Sequence, residues 1–223
     1  MIKEIGMARI TVSIASLYGA SKAVSKSHPK EEMKYVWVKP VAVESEHEYE
    51  RDKVIVQVMG TDGYIFFVCE DAGEVIVGAD QIPEDGFGIE TKWIRDNIPF
   101  NKNGSRLVVL DYEDGWLSTS MQDVYANSGS VSKIQVEFGK FPDFRPIVEK
   151  LQQQEGGIDR IYYDPKVLKK MTDVAIAYMK QRGHDNTIEL NFVDENFVTR
   201  TVIRDNEDVK ATIFVMSVDT RWG

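Results

Sequence analysis

The sequence predicts an α+β fold built from strand–helix–strands units, with the helices on one face of antiparallel sheets. Three observations predict it. Short, alternating, β-branched runs fill most of the chain, and amphipathic helical stretches interrupt them. The order strand, helix, several strands also comes round three times, roughly 70 residues apart.

The first unit opens at residues 9–14, which alternate and are β-branched as in a half-buried strand. Over 16–26, Leu17, Ala20 and Val24 stand at i, i+3 and i+7 on one helical face, and His28-Pro29 ends the helix. Strands are expected at 35–43, 53–59, 64–69 and 74–78. Between them lie the acidic segment 44–52 and the tight turn Thr61-Asp62-Gly63. The second unit follows the Pro83-Glu84-Asp85-Gly86 loop, with a strand at 88–90, a short helix at 91–97, and strands at 106–110, 115–120 and 132–137. Asp114-Gly115 marks a hairpin turn. Residues 139–149 read as a connector pinned by Pro142 and Pro146, and 152–157 as the most linker-like stretch. In the third unit a strand at 158–163 precedes a helix with Asp164 as N-cap and Pro165 at its first position. That helix runs to about Arg182 and stops at Gly183, and strands follow at 187–193, 197–204 and 210–218.

Composition narrows the function. Of 223 residues, 43% are hydrophobic and 28% charged, which supports a packed core and argues against wholesale disorder. No apolar run reaches the ~20 residues of a membrane span, and the first residues lack a signal-peptide core, so a cytoplasmic protein without membrane contact is expected. The single cysteine, Cys69, lies in an apolar run and reads as core. His28, His47 and His184 share no pattern, and the Glu44, Glu46, Glu48, Glu50 run reads as a solvated edge. Asp111, Glu113 and Asp114 read as hairpin residues. No phosphate-binding loop, nucleophile elbow or zinc spacing is present, so neither catalysis nor a cofactor or metal is expected.

Net charge is −9, from 27 basic and 36 acidic residues, which by itself argues against nucleic-acid binding. The distribution says otherwise. In the third helix Val167, Leu168, Met171, Val174, Ala175, Tyr178 and Met179 fall on one side, while Lys166, Lys169, Lys170 and Lys180 gather on the other with Asp173. The first helix sets Lys22 and Lys26 opposite Leu17, Ala20 and Val24, and the short middle helix offers Lys92 and Arg95. Any one amphipathic helix carries lysines on its wet side. Three in succession point to a helix-lined surface that touches DNA phosphates without reading bases.

Three strings resemble the bacterial β sliding clamp family, the processivity factors of replicative DNA polymerase. Thr61-Asp62-Gly63-Tyr64-Ile65-Phe66 is similar to the family's T-D-G turn. Gly139-Lys140-Phe141-Pro142-Asp143-Phe144-Arg145-Pro146-Ile147-Val148 resembles its G-R-F-P-D-Y-R-R-V-L linker, the most specific of the three. Ala211 to Val218 is like its C-terminal strand. The resemblance covers the chain from about Ala8 to Val218. Tyr64 stands where the family has histidine, Ile65 where it has arginine, and Pro146 where it has a second arginine.

The resemblance implies a DNA-clamp fold, with a complete two-unit domain at 1–145, a linker at 146–157 and a half domain of one unit at 158–223. It implies a non-catalytic scaffold that tethers a DNA polymerase, or other proteins bearing clamp-binding peptides, to double-stranded DNA without sequence specificity. The strings would meet as a peptide cleft at Thr61, Gly63, Tyr64, Ile65, Phe66, Pro142, Pro146, Ile147, Val215 and Met216. A homo-oligomer is expected, and with three units per chain four copies would supply the twelve units of known rings. The alternatives are a clamp-fold protein-binding module that no longer encircles DNA, and an enzyme of an unrelated strand-rich fold.

Overall fold

The computed structural model describes residues 6–25, 27–43, 53–98, 107–120, 132–139, 141, 164–182, 187–192, 198–205 and 208–216. Strand β1 (Ala8–Ser13) runs directly into helix α1 (Ile14–Ala23), where the Ser13 hydroxyl accepts the Ser16 N–H at 3.4 Å and caps the first turn. A 3-10 turn (Glu31–Lys34) leads to β2 (Tyr35–Ala42), followed by β3 (Val54–Thr61) and β4 (Ile65–Val77). Two strands are expected from sequence where the chain makes the single long β4. An irregularity opposite Val56–Val58 takes up the polar step Glu70-Asp71, so the ladder to β3 continues beyond it.

The second unit contains β5 (Phe87–Glu90), α2 (Thr91–Asn97), β6 (Leu107–Glu113), β7 (Trp116–Ser120) and β8 (Lys133–Gln135). Asp114 and Gly115 both adopt positive φ, 45° and 81°, between the paired residues Glu113 and Trp116. That is the two-residue hairpin the sequence predicts. The third unit contains α3 (Pro165–Arg182), β9 (Thr187–Phe192), β10 (Val198–Asp205) and β11 (Asp208–Met216). The expected strand at 158–163 and the linker at 146–157 lie outside the described residues.

The strands pair antiparallel in the order β5-β2-β3-β4-β1-β6-β7-β8. The strip curls until Gly88 of β5 and Glu137, just past β8, exchange both backbone hydrogen bonds at 2.8 and 3.0 Å. The long β4 makes a branch point. Its C-terminal part pairs with β1, and its first residues, Ile65 to Val68, pair with β11, which brings β10 and β9 behind it.

Helices α1 and α3 pack on one face of this sheet over Ile65, Phe67 and Cys69 of β4, with Val58, Leu110 and Ile213 in the same core. Small residues set the distance. A Cβ on Gly60 would lie 2.4 Å from the Ala20 carbonyl oxygen, so β3 and α1 meet backbone to backbone. Beside Gly19 of α1, the rings of Phe67 of β4 and Tyr178 of α3 meet at a tilt, 5.7 Å apart. The Tyr18 hydroxyl donates to the Ile98 carbonyl at 2.7 Å and ties α1 to the end of α2. One residue of the expected apolar face departs from it. Leu168 is 38% exposed, because it sits at the flank of the arc that Val174 and Tyr178 bury. Among the described residues no helix is long and apolar enough to cross a membrane.

Candidate functional site

The turn between β3 and β4 is held by its own side chains. The Thr61 hydroxyl donates to the Ile65 carbonyl at 2.8 Å and accepts the Gly63 N–H at 3.0 Å. Asp62 Oδ1 accepts the N–H groups of Tyr64 at 2.9 Å and Ile65 at 2.8 Å. Gly63 adopts φ of 89°, a left-handed conformation that strains any residue with a Cβ. Thr61 and Gly63 therefore build the turn. It presents Tyr64, 64% exposed, at its tip.

Past the turn, alternation sends successive residues of β4 to opposite faces. Ile65 and Phe67 enter the helix-side core, as does Val215, the cross-strand partner of Ile65. Phe66 points to the other face, where Trp37 of β2, Met59 of β3, Val68 of β4 and Phe141 form a second, smaller apolar cluster. The Phe66 and Phe141 rings meet edge to face at 5.2 Å, and Phe141 tilts against Trp37 at 6.1 Å. Phe214 is the cross-strand partner of Phe66 on β11. At the margin, burial and the carboxylates of Glu137, Glu31 and Glu90 push the Tyr35 hydroxyl above its usual range, with Lys34 opposing.

Of the expected cleft residues, Phe66 thus shares the outer side of the sheet with Phe141, and Tyr64 stands exposed in the turn before it. Ile65 and Val215 lie beneath it in the core, and Thr61 and Gly63 shape its end. Met216 is the last residue of β11, placed here by backbone alone, while Pro142, Pro146 and Ile147 lie outside the described residues. Trp37, Met59, Val68 and Phe141 are additions that the cleft assignment did not include. One signal for them is legible in β2, where Val36-Trp37-Val38 is apolar without alternation, as in a strand covered on both faces.

The cations occupy the helices. Asp164 caps α3 through its Oδ1, which accepts the Lys166 N–H at 2.7 Å, as predicted from sequence. Lys22, Lys92, Arg95, Lys166 and Lys169 are exposed. Lys169 pairs with Asp173 one turn on at 2.6 Å, and Arg95 with Asp96 at 3.2 Å. Lys170 departs from the group. It is half-buried, meets Asp62 Oδ2 of the β3–β4 turn, and lies 3.5 Å from the Val24 carbonyl. Among the described residues Lys22, Lys92 and Lys166 form no ion pair. Lys26 lies outside the described residues, and Lys180 is placed only as part of α3. The described residues contain no group of three His, Cys, Asp or Glu arranged to hold a metal ion.

No family model and no curated protein sequence matches the chain. Solved structures do. The Caulobacter crescentus polymerase III β protein matches over 99% of this chain and 68% of its own, with a TM-score of 0.62 at 14% identity. The Bacillus subtilis DNA polymerase sliding clamp matches over 99% and 66%, with a TM-score of 0.59 at 12% identity. The Bartonella birtlesii sliding clamp, solved bound to griselimycin, matches over 99% and 68%, with a TM-score of 0.56 at 14% identity. The chain thus spans about two thirds of each of these proteins' lengths. With its helices packed on one face of a curled antiparallel sheet, this chain has the DNA polymerase III β sliding-clamp fold in a far-diverged sequence.

Proposed function

We propose that this chain is a non-catalytic tether, in the manner of a processivity factor. It would hold a short apolar peptide of a DNA polymerase or another partner on the outer face of its sheet. The helix face would rest against the phosphates of double-stranded DNA. The observation that carries this reading is the partly exposed Phe66, backed on the outer face by Phe141 and Trp37, two residues along the chain from the exposed Tyr64. Phe66, partly exposed over the buried Trp37 and Phe141, would give an apolar anchor a rigid aromatic contact at small entropic cost. The clamp fold, with lysines on the opposite, helical side, supports the second half of the reading. The domain division at 1–145 and 158–223 belongs to the same proposal.

The two halves are tested separately. Short peptides with two adjacent apolar anchors are titrated against the protein by fluorescence anisotropy, and duplex DNA by gel shift at several salt concentrations. Tyr64→Ala and Phe66→Ala are expected to weaken peptide binding and leave DNA association intact. Charge reversal at Lys22, Lys92 and Lys166 is expected to do the reverse. If charge reversal leaves DNA association unchanged while the peptide still binds, the chain is a clamp-fold binding module that does not use DNA. A protein that binds neither sinks the proposal.

A further inference from the structure

Lys170 differs from the other described helix cations in where its ammonium goes. Lys169 and Arg95 pair within their own helices, whereas Lys170 leaves α3 for Asp62 Oδ2 of the β3–β4 turn and lies 3.5 Å from the Val24 carbonyl at the end of α1. Its side chain is 29% exposed and that of Asp62 only 14%. On α3, Lys166 stands one turn before it and Lys169 next to it, both exposed. The ammonium thus sits between a largely covered carboxylate and a surface that carries free positive charge.

We propose that Lys170 links the two faces of the molecule: a DNA phosphate drawn to Lys166 and Lys169 competes with Asp62 for its ammonium, so that DNA on the helix face weakens the hold of the outer face on a peptide. This linkage rests on the tether proposal, since it needs both ligands. The element with two arrangements is the ammonium itself, on the carboxylate or on a phosphate oxygen.

The exchange is even for the lysine, which trades one anion for another, and uneven for the aspartate. Without its cation, Asp62 is a mostly covered charge, and turning toward water relieves it. Its Oδ1 then gives up the Tyr64 and Ile65 N–H groups. Those two bonds fix the turn that presents Tyr64 and leads into Phe66, so the peptide meets a less ordered edge and must order it on binding. Lys169 serves as the contrast, because its partner Asp173 lies on the same helix and opening that pair leaves the turn untouched. The coupling is reciprocal: the peptide weakens DNA association by the factor with which DNA weakens the peptide.

A labelled peptide with two adjacent apolar anchors is titrated against the full chain with and without a saturating blunt DNA duplex. DNA is expected to raise the peptide Kd about two- to fivefold, and saturating peptide to raise the DNA Kd equally. Lys170→Met is expected to show the weakened peptide Kd without DNA and no further change with it, while Lys170→Arg keeps the coupling. Asp62→Asn retains an oxygen for the two turn N–H groups and loses the charge, so its peptide Kd is expected to stay near wild type and to ignore DNA. Lys169→Met is expected to weaken DNA association and keep the coupling. Circular dichroism checks that each variant is folded. A wild-type chain that binds both ligands, each unchanged or tightened by the other, overturns the linkage and leaves the tether proposal standing. So does a coupling that survives in folded Lys170→Met or Asp62→Asn. A wild-type chain that fails to bind one of the ligands overturns the linkage together with that half of the tether proposal.

Discussion

Lys170 of α3 and Asp62 of the β3–β4 turn form an ion pair that joins the helix layer to the rim of the outer aromatic cluster. The carboxylate serves both sides, its Oδ1 accepting two turn N–H groups while Oδ2 meets the ammonium. Sequence places Lys170 among cations free to meet phosphate; the fold gives it a protein partner.

Removing Asp62 should therefore cost more than removing Lys170. Asp62→Ala strips the Tyr64 and Ile65 N–H groups of their acceptor and strands a half-buried ammonium, an expected loss of about 2–3 kcal/mol. Lys170→Met is expected to lose about 1 kcal/mol or less, since it leaves the turn bonds in place. Urea unfolding of both variants and the double variant measures the coupling, expected near 1 kcal/mol. A coupling of zero would show that the pair contributes nothing.

The contact of β3 with α1 should tolerate no added methyl. At Gly60 a Cβ would sit 2.4 Å from the Ala20 carbonyl oxygen, and backbone cannot rotate out of the way. Gly60→Ala is expected to destabilise by about 1–3 kcal/mol as the helix is pushed from the sheet. Gly60→Ala with unchanged thermal stability would mean that α1 does not ride against β3 as described.

Among the helix cations, the unpaired ones should dominate any DNA association. Glutamate at Lys22, Lys92 or Lys166 is expected to lower the slope of log affinity against log salt by about 0.9 for each phosphate that is no longer neutralised. Lys169, already paired with Asp173, should matter less. Equal effects at all four would show that the ion pair opens freely when DNA approaches.

Alkaline pH should loosen the joint between α1 and α2. Burial raises the Tyr18 hydroxyl above its ordinary 10.0, with Arg95 opposing, and the protonated hydroxyl donates to the Ile98 carbonyl. A raised folded-state value gives stability that is fully present below pH 10.0 and is lost as pH climbs through the folded value. Tyr112, also raised by burial, adds in the same direction. Unfolding midpoints are expected to fall above pH 10.0, and Tyr18→Phe should flatten part of that fall while lowering neutral stability by about 1 kcal/mol. A wild-type midpoint unchanged from about pH 9 to about pH 11, on either side of the ordinary tyrosine value, would contradict this.

Local chemistry determined much of this protein. The Asp114-Gly115 hairpin, the Asp164 cap with Pro165 behind it, and the Thr61-Asp62-Gly63 turn each follow from side chains that satisfy nearby backbone, so their residues announce them. Periodicity likewise revealed the helix-and-strand order, because one face of each element must be buried. Tertiary structure decided what periodicity leaves open. Whether 64–78 makes two strands or one depended on β3 accepting an irregular register across Glu70-Asp71. That Phe66 meets Phe141 and Trp37, and that Lys170 finds Asp62 rather than solvent, depended on chain segments far apart in sequence arriving together. Short-range hydrogen bonds leave their signature within a few residues. Which face of a strand is covered twice and which cation is paired are properties of the assembled sheet, and no local window contains them.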